Sequence, residues 1–216
     1  ILHCIQDDNQ SMKIINSEQL STAVKYLKQG KTLVFPTETS YGLGCDATNQ
    51  EAVDKIFKIK ERKSEKPLLV VVPDIEMAKK YLVWNELLED LASKYWPGPL
   101  TVVGEYNNIQ YPISNIQLAT GVVAADNTIA VRVTDFSLTK FLSAELGRPL
   151  VATSANLADA GDIYDVKQIE EVFSSKEAMP DILIDGGVLP QNPPTTIVSV
   201  VKNYLKILRQ GQLKIN

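Results

Sequence analysis

Apolar positions along this chain recur with two periods, and the switches between them mark out its elements. From 17 to 29, Leu20, Val24 and Leu27 share one helical face; Ser17 can cap the start and Gly30 can end it, so a first helix is predicted there. KTLVF (31–35) is short and mostly apolar, the mark of a buried strand, and Pro36 is expected to stop it. Asn49 can cap a second helix, in which Ala52, Val53, Ile56 and Phe57 form a stripe at helical spacing. A buried strand, LLVVV (68–72), comes next, then helical stretches to about Tyr95. WPGPLT must end them, because two prolines flank a glycine. LTVV and TIAVRV read as strands, 137–147 as a helix, PLVAT as a strand, 166–173 as a helix and DILID as a strand. TTIVSV and YLKILR form a closing pair of strands joined by a polar turn around Lys202 and Asn203, and 104–127 reads as a surface excursion. Strands and helices mix throughout, with short links and no internal repeat. The expectation is one α/β domain, with a mixed parallel and antiparallel sheet flanked by helices.

Composition narrows the function. At 216 residues and 44% hydrophobic, the chain can bury one full core and is short for two. Its 22 basic and 26 acidic residues give a net charge of −4, so any site for a polyanion must be local. A single histidine, His3, leaves neither a Ser-His-Asp triad nor a multi-histidine metal centre to draw. The two cysteines, Cys4 and Cys45, lie far apart, which gives no disulfide framework and fits a reducing cytoplasm. No apolar run is long enough to span a bilayer as a helix, so no membrane partner is expected.

Chemistry concentrates where predicted strands end. PTETSYGLG (36–44) follows a buried strand with small hydroxyl residues and two glycines, the make-up of a tight ligand-facing loop or of an ordinary polar turn. KIKERKSEK (58–66) carries five basic and two acidic residues between a helix and a strand, which ties its cations to rigid elements and suits phosphate oxygens. Arg132 sits inside the apolar strand TIAVRV and needs an anionic partner, either a structural Asp or Glu or a ligand carboxylate. In PLVATSANLADAG (149–161), Ser154 and Asn156 stand two apart after another buried strand. No nucleophile has an obvious base beside it, so positioning and charge stabilisation, as in nucleotidyl transfer, suit these residues better than covalent catalysis.

In order and spacing, FPTETSYGLGCDA, KIKERKSEKPL, WPGPLT, IAVRV, PLVATSAN, IDGG, PPTTIV and ILRQG resemble the landmarks of the YrdC/Sua5 family, the L-threonylcarbamoyladenylate synthases. The resemblance runs from about 13 to 212 and leaves 1–12 as a poorly ordered extension; the chain is expected to be the short, YrdC-like form. It implies a twisted mixed sheet around a deep, positively charged cleft. It also implies a reaction in which L-threonine, bicarbonate and ATP give threonylcarbamoyl-AMP and pyrophosphate. Mg2+ would ride on the phosphates without direct protein ligands, in the cytoplasm. A partner transferase would pass the group to tRNA adenosine beside the anticodon, with tRNA itself at most a weak ligand. By motif, Lys60, Arg62, Ser154 and Asn156 are the catalytic candidates. Arg62, Lys66, Thr128, Ser154 and Arg209 are expected on ATP, and Thr37, Arg132 and Thr195 on L-threonine. LADAG replaces the family's usual residues after SAN, which leaves the contacts of 157–162 open. A non-catalytic RNA- or nucleotide-binding module is the alternative, as is a module of a carbamoyl-transferring maturation enzyme, and the intact KxR and SxN pairs favour the synthase.

Overall fold

The computed structural model describes residues 11–62, 66–108, 117–158 and 160–215. The chain forms β1 (Lys13–Asn16), α1 (Leu20–Lys28), the hairpin β2 (Leu33–Pro36) and β3 (Tyr41–Gly44), then α2 (Gln50–Ile59) and β4 (Val70–Val72). Two helices follow, α3 (Ile75–Tyr81) and α4 (Glu86–Tyr95), then β5 (Leu100–Glu105), β6 (Thr128–Val133), α5 (Ser137–Leu146) and the short strands β7 (Leu150–Val151) and β8 (Thr153–Ser154). The chain closes with α6 (Val166–Phe173), β9 (Ile182–Asp185), β10 (Thr196–Val201) and β11 (Tyr204–Arg209).

One mixed sheet was the expectation, and there are two. The first runs β1-β9-β2-β3-β8 and the second β11-β10-β5-β6-β4-β7, each with parallel and antiparallel pairs. The reason lies in PLVATS, which looks like one strand. Leu150 and Val151 pair with β4 in the second sheet, whereas Thr153 and Ser154 pair with β3 in the first. This segment therefore joins the sheets, and the amide of Val151 donates to the Cys45 carbonyl while that of Ala152 donates to Leu69.

Local chemistry explains most boundaries. Asn49 caps α2 by accepting from the Ala52 amide, as expected, and Asp74 and Asn85 cap α3 and α4 in the same way. The first helix differs: Asn16, not Ser17, accepts the capping bond, and Ser17–Gln19 form a 3-10 turn before α1. Pro36 ends β2 from inside it, on the strand's last pair with Tyr41. Lys202 and Asn203 both take left-handed φ, 51° and 62°, as a two-residue turn between twisted strands requires. Of the stretch 104–127, residues 109–116 lie outside the described part, and 119–122 are less superficial than expected, because Val122 is fully buried, Ala119 donates to Ala47, and Gly121 accepts from Leu68. Residues 1–10 lie outside the described part, and Met12 already packs on the core.

Two apolar clusters hold the layers. The larger joins Ile56 and Ile59 of α2 and Phe173 of α6 to Val34, Val70 and Val102 of the sheets, and the smaller packs α1 and α5 through Val24, Leu27, Leu142 and Leu146 against Phe35, Val71 and Leu150. Each fully buried side chain of this kind contributes about 1.5–3 kcal/mol.

Candidate active site

Between the two sheets lies a cleft of about 1010 Å³. The first sheet supplies the β2–β3 turn, and the second supplies β4, β5, β6, β10 and β11, with the joining segment 152–154 across the back. Among the described residues, four cations (Arg62, Lys66, Arg132 and Arg209) face it against two carboxylates, Glu38 and Asp162. An apolar stretch of wall comes from Leu69, Val71, Val103, Ala130, Ile197 and Leu208.

Arg62 reaches the cleft because of how α2 ends. The Glu61 amide donates to Lys58 and the Arg62 amide to Phe57, the paired bonds of a Schellman motif. Glu61 occupies the left-handed position of that motif with φ 50°. The turn swings Arg62 back toward the cleft, where its Nη2 donates to the Pro67 carbonyl at 3.2 Å.

Lys60, one residue before the turn, points the other way into the protein. It is 3% exposed and donates to Ser154 O at 2.6 Å and to both Asn156 O and Oδ1 at 2.8 Å. Ser154 Oγ donates to the same Asn156 Oδ1 at 2.7 Å. The Asn156 amide nitrogen donates onward to Ala160 O and Gly161 O, and the Ala158 amide donates to Lys60 O. Ala160 and Gly161 of the divergent stretch thus hold the Asn156 side chain, and Asp162 follows them into the cleft. Burial and the neighbouring Arg62 draw the Lys60 ammonium down from an ordinary 10.5 to about 8, with Asp162 pulling the other way. Of this network, Ser154 lines the cleft, while Lys60 and Asn156 form the layer behind it.

At the far rim, Arg209 donates from Nε and Nη2 to Thr195 O at 3.1 and 2.9 Å and from Nη2 to Thr195 Oγ1 at 3.1 Å. Burial lowers its guanidinium's affinity for the proton, and Asp162 opposes the shift. The Thr195 hydroxyl also meets Thr101 Oγ1 at 3.4 Å. Across from it, Thr37 Oγ1 donates to Ser40 O at 2.6 Å and accepts from the Thr39 and Ser40 amides, which fixes the β2–β3 turn. WPGPLT has a second task beyond ending α4: Gly98 O accepts from Arg132 Nε at 3.1 Å. The partner that Arg132 needs is Glu38, whose Oε1 is in ion contact with Nη2; Asp135 stands farther off, at 4.0 Å.

Of the residues expected from sequence, Thr37, Arg62, Lys66, Arg132, Ser154, Thr195 and Arg209 line one cleft. Thr128 does not; its hydroxyl donates to Asp126 Oδ1 at 2.7 Å. Lys63 lies outside the described residues. The DGG turn is structural, since Tyr41 OH donates to Gly187 O and accepts from the Gly186 amide. Glu38, Thr39, Thr101 and Asp162 were not foreseen, and an acidic residue next to a candidate threonine is the one clue that 37–39 offered.

A family model described as Telomere recombination, the Sua5/YciO/YrdC domain, matches residues 25–211. Threonylcarbamoyl-AMP synthase of Vibrio vulnificus (strain YJ016) is 33% identical over 195 residues, covering 89% of this chain and 98% of that protein. The synthase of Bacillus subtilis (strain 168) is 31% identical over 197 residues, covering 91% of this chain and 54% of that protein. Among solved structures, P. abyssi Sua5 complexed with L-threonine superposes with a TM-score of 0.80 at 27% identity, over 94% of this chain and 58% of that one. This chain therefore spans little more than half of the Sua5 chain. E. coli YciO, at 21% identity and TM-score 0.75, shares the fold. No described helix is long and apolar enough to cross a membrane. By sequence and by architecture alike, the chain belongs to the Sua5/YciO/YrdC family.

Proposed function

We propose that this protein makes L-threonylcarbamoyladenylate and pyrophosphate from L-threonine, bicarbonate and ATP, for the N6-threonylcarbamoyl modification of tRNA adenosine in the cytoplasm. The observation that carries this reading is the convergence, on one cleft between the sheets, of two sets of groups: Arg62, Lys66, Ser154 and Arg209, suited to phosphates, and Thr37, Arg132 and Thr195, suited to a hydroxy amino acid. Two observations outside the cleft agree with it: relatives covered along most of their length are named for this activity, and a structural neighbour holds L-threonine.

On this reading the apolar wall of Leu69, Val71, Val103, Ala130, Ile197 and Leu208 receives the adenine. Arg62 and Arg209 offer planar forks to phosphate oxygens, and Lys66 adds a mobile charge. Lys60 and Asn156 act through Ser154: they hold its loop in place, and the hydroxyl turns its one proton from Asn156 Oδ1 to the phosphate while Lys60 keeps that amide oxygen satisfied. Bicarbonate supplies CO2 with loss of water, the free amine of threonine adds to it and sheds a proton to solvent, and an oxygen of the resulting carbamate bonds to the α-phosphorus as the bond to pyrophosphate breaks. Mg2+ would ride on the phosphate oxygens of ATP and offset their charge. A partner transferase takes the product onward.

The test supplies the protein with ATP, L-threonine and bicarbonate and follows pyrophosphate and the adenylate. Both should appear only with all three present. Pyrophosphate release that ignores threonine would overturn the assignment.

A further inference from the structure

The contact between Glu38 and Arg132 is an odd one for a structural ion pair. Glu38 Oε1 and Arg132 Nη2 are both shut off from solvent, and apart from their ion contact neither has a hydrogen-bond partner. Leaving such groups half satisfied is costly. Nor is the pair needed to hold the β2–β3 turn. The Thr37 hydroxyl already closes it, and the Asn192 side chain donates to the Glu38 carbonyl at 2.8 Å. Arg132 is likewise fixed by Gly98, through Nε rather than Nη2. Each charge is anchored independently, and each keeps one terminal atom aimed at the other inside the cleft.

An amino acid carries its carboxylate and ammonium on the same carbon, so its receptor must set a cation and an anion side by side. Taking the cleft as the amino-acid site proposed above, we propose that Glu38 is the receptor for the substrate's ammonium. In the ligand-free protein Glu38 and Arg132 neutralise one another. Substrate entry exchanges that contact for two: Arg132 Nη2 turns to the carboxylate, and Glu38 Oε1 accepts from the ammonium. A zwitterion leaves the net charge of the subsite unchanged, whereas an acid without the amine must compete with Glu38 for Arg132 and returns nothing to it. Glu38 is thus a determinant of specificity for amino acids over hydroxy acids.

Calorimetric titration of wild type and Glu38→Gln with L-threonine and with (R)-3-hydroxybutanoate, which keeps the carboxylate and hydroxyl but lacks the amine, tests this. Glu38→Gln should bind L-threonine at least tenfold more weakly and (R)-3-hydroxybutanoate as tightly as wild type or more so, with ATP affinity unchanged. Glu38→Asp, which keeps the charge, should retain a preference for L-threonine, and it carries the test if the glutamine variant does not fold. Parallel weakening of both ligands, or no change for threonine, overturns the role of Glu38 and leaves the synthase reading standing. Wild type that binds no L-threonine overturns both.

Discussion

Lys60 illustrates how far a residue's surroundings can redirect a role that its type suggests. A lysine in a basic run reads as a phosphate contact, yet this one is sunk behind the cleft with three oxygens around its ammonium. A neutral amine has only two hydrogens for those three acceptors, so deprotonation slackens the loop that carries Ser154. With the ammonium titrating near 8, turnover should fall through a one-proton limb centred near pH 8; a rate that holds flat to pH 9.5 contradicts this. Stability moves the other way. The folded-state value is depressed below the unfolded 10.5, so from about pH 8 to 10 the unfolded chain binds more protons and wild-type stability rises. Below about 8 both states are charged, and the cost of burial is fully present. Denaturant titrations against Lys60→Met, across that pH range, should therefore find wild type gaining relative to the variant. Pattern alone marked the loops after the buried strands, the basic run 58–66 and the lone Arg132 of an apolar strand, while the roles of Thr37, Lys66, Thr195 and Arg209 came from the family resemblance. Glu38 and Asp162 were marked by neither, since a carboxylate acquires its meaning from the cation it meets, and Arg132 is 94 positions from Glu38.

Elements were easiest to read where one residue does one job. The Asn49 cap and the stripe Ala52, Val53, Ile56 and Phe57 announce α2, and its buried face agrees except that Phe57 is only partly covered and Ile59 completes the face. Its end gave no signal, because the Schellman turn uses glutamate where glycine is usual. A left-handed φ costs a non-glycine residue about 1 kcal/mol. Glu61→Gly should thus raise stability by about 0.5–1 kcal/mol, less the added freedom of the unfolded chain. Its exposed ion pair with Lys176, at 2.8 Å, is worth little against that. Because Arg62 keeps its place, turnover should be unchanged. A loss of stability beyond 1 kcal/mol in chemical denaturation would mean that the turn is not strained. The split of PLVATS was invisible for another reason: a continuous apolar run satisfies either sheet, and only the positions of β3 and β4 decide where it changes allegiance.

At the scale of the molecule, alternation of strands and helices was enough for the α/β class, while the number of sheets depended on pairings far apart in sequence. Both walls of the cleft are tied to the segment 150–154, and that segment also carries Ser154. The segment is an edge of each sheet, but it is paired to one through β7 and to the other through β8, with Leu150 and Val151 buried in the core, so it opens only with the whole domain. The site accordingly has no weaker hinge of its own along this seam. On slow heating, loss of turnover and loss of circular dichroism should share one midpoint, within about 2 °C, and activity that fades well before the fold would place the weak point elsewhere. A protein built this way gives no early warning of heat damage: each molecule is either wholly competent or wholly lost, and the activity remaining in a warmed sample counts the molecules still folded.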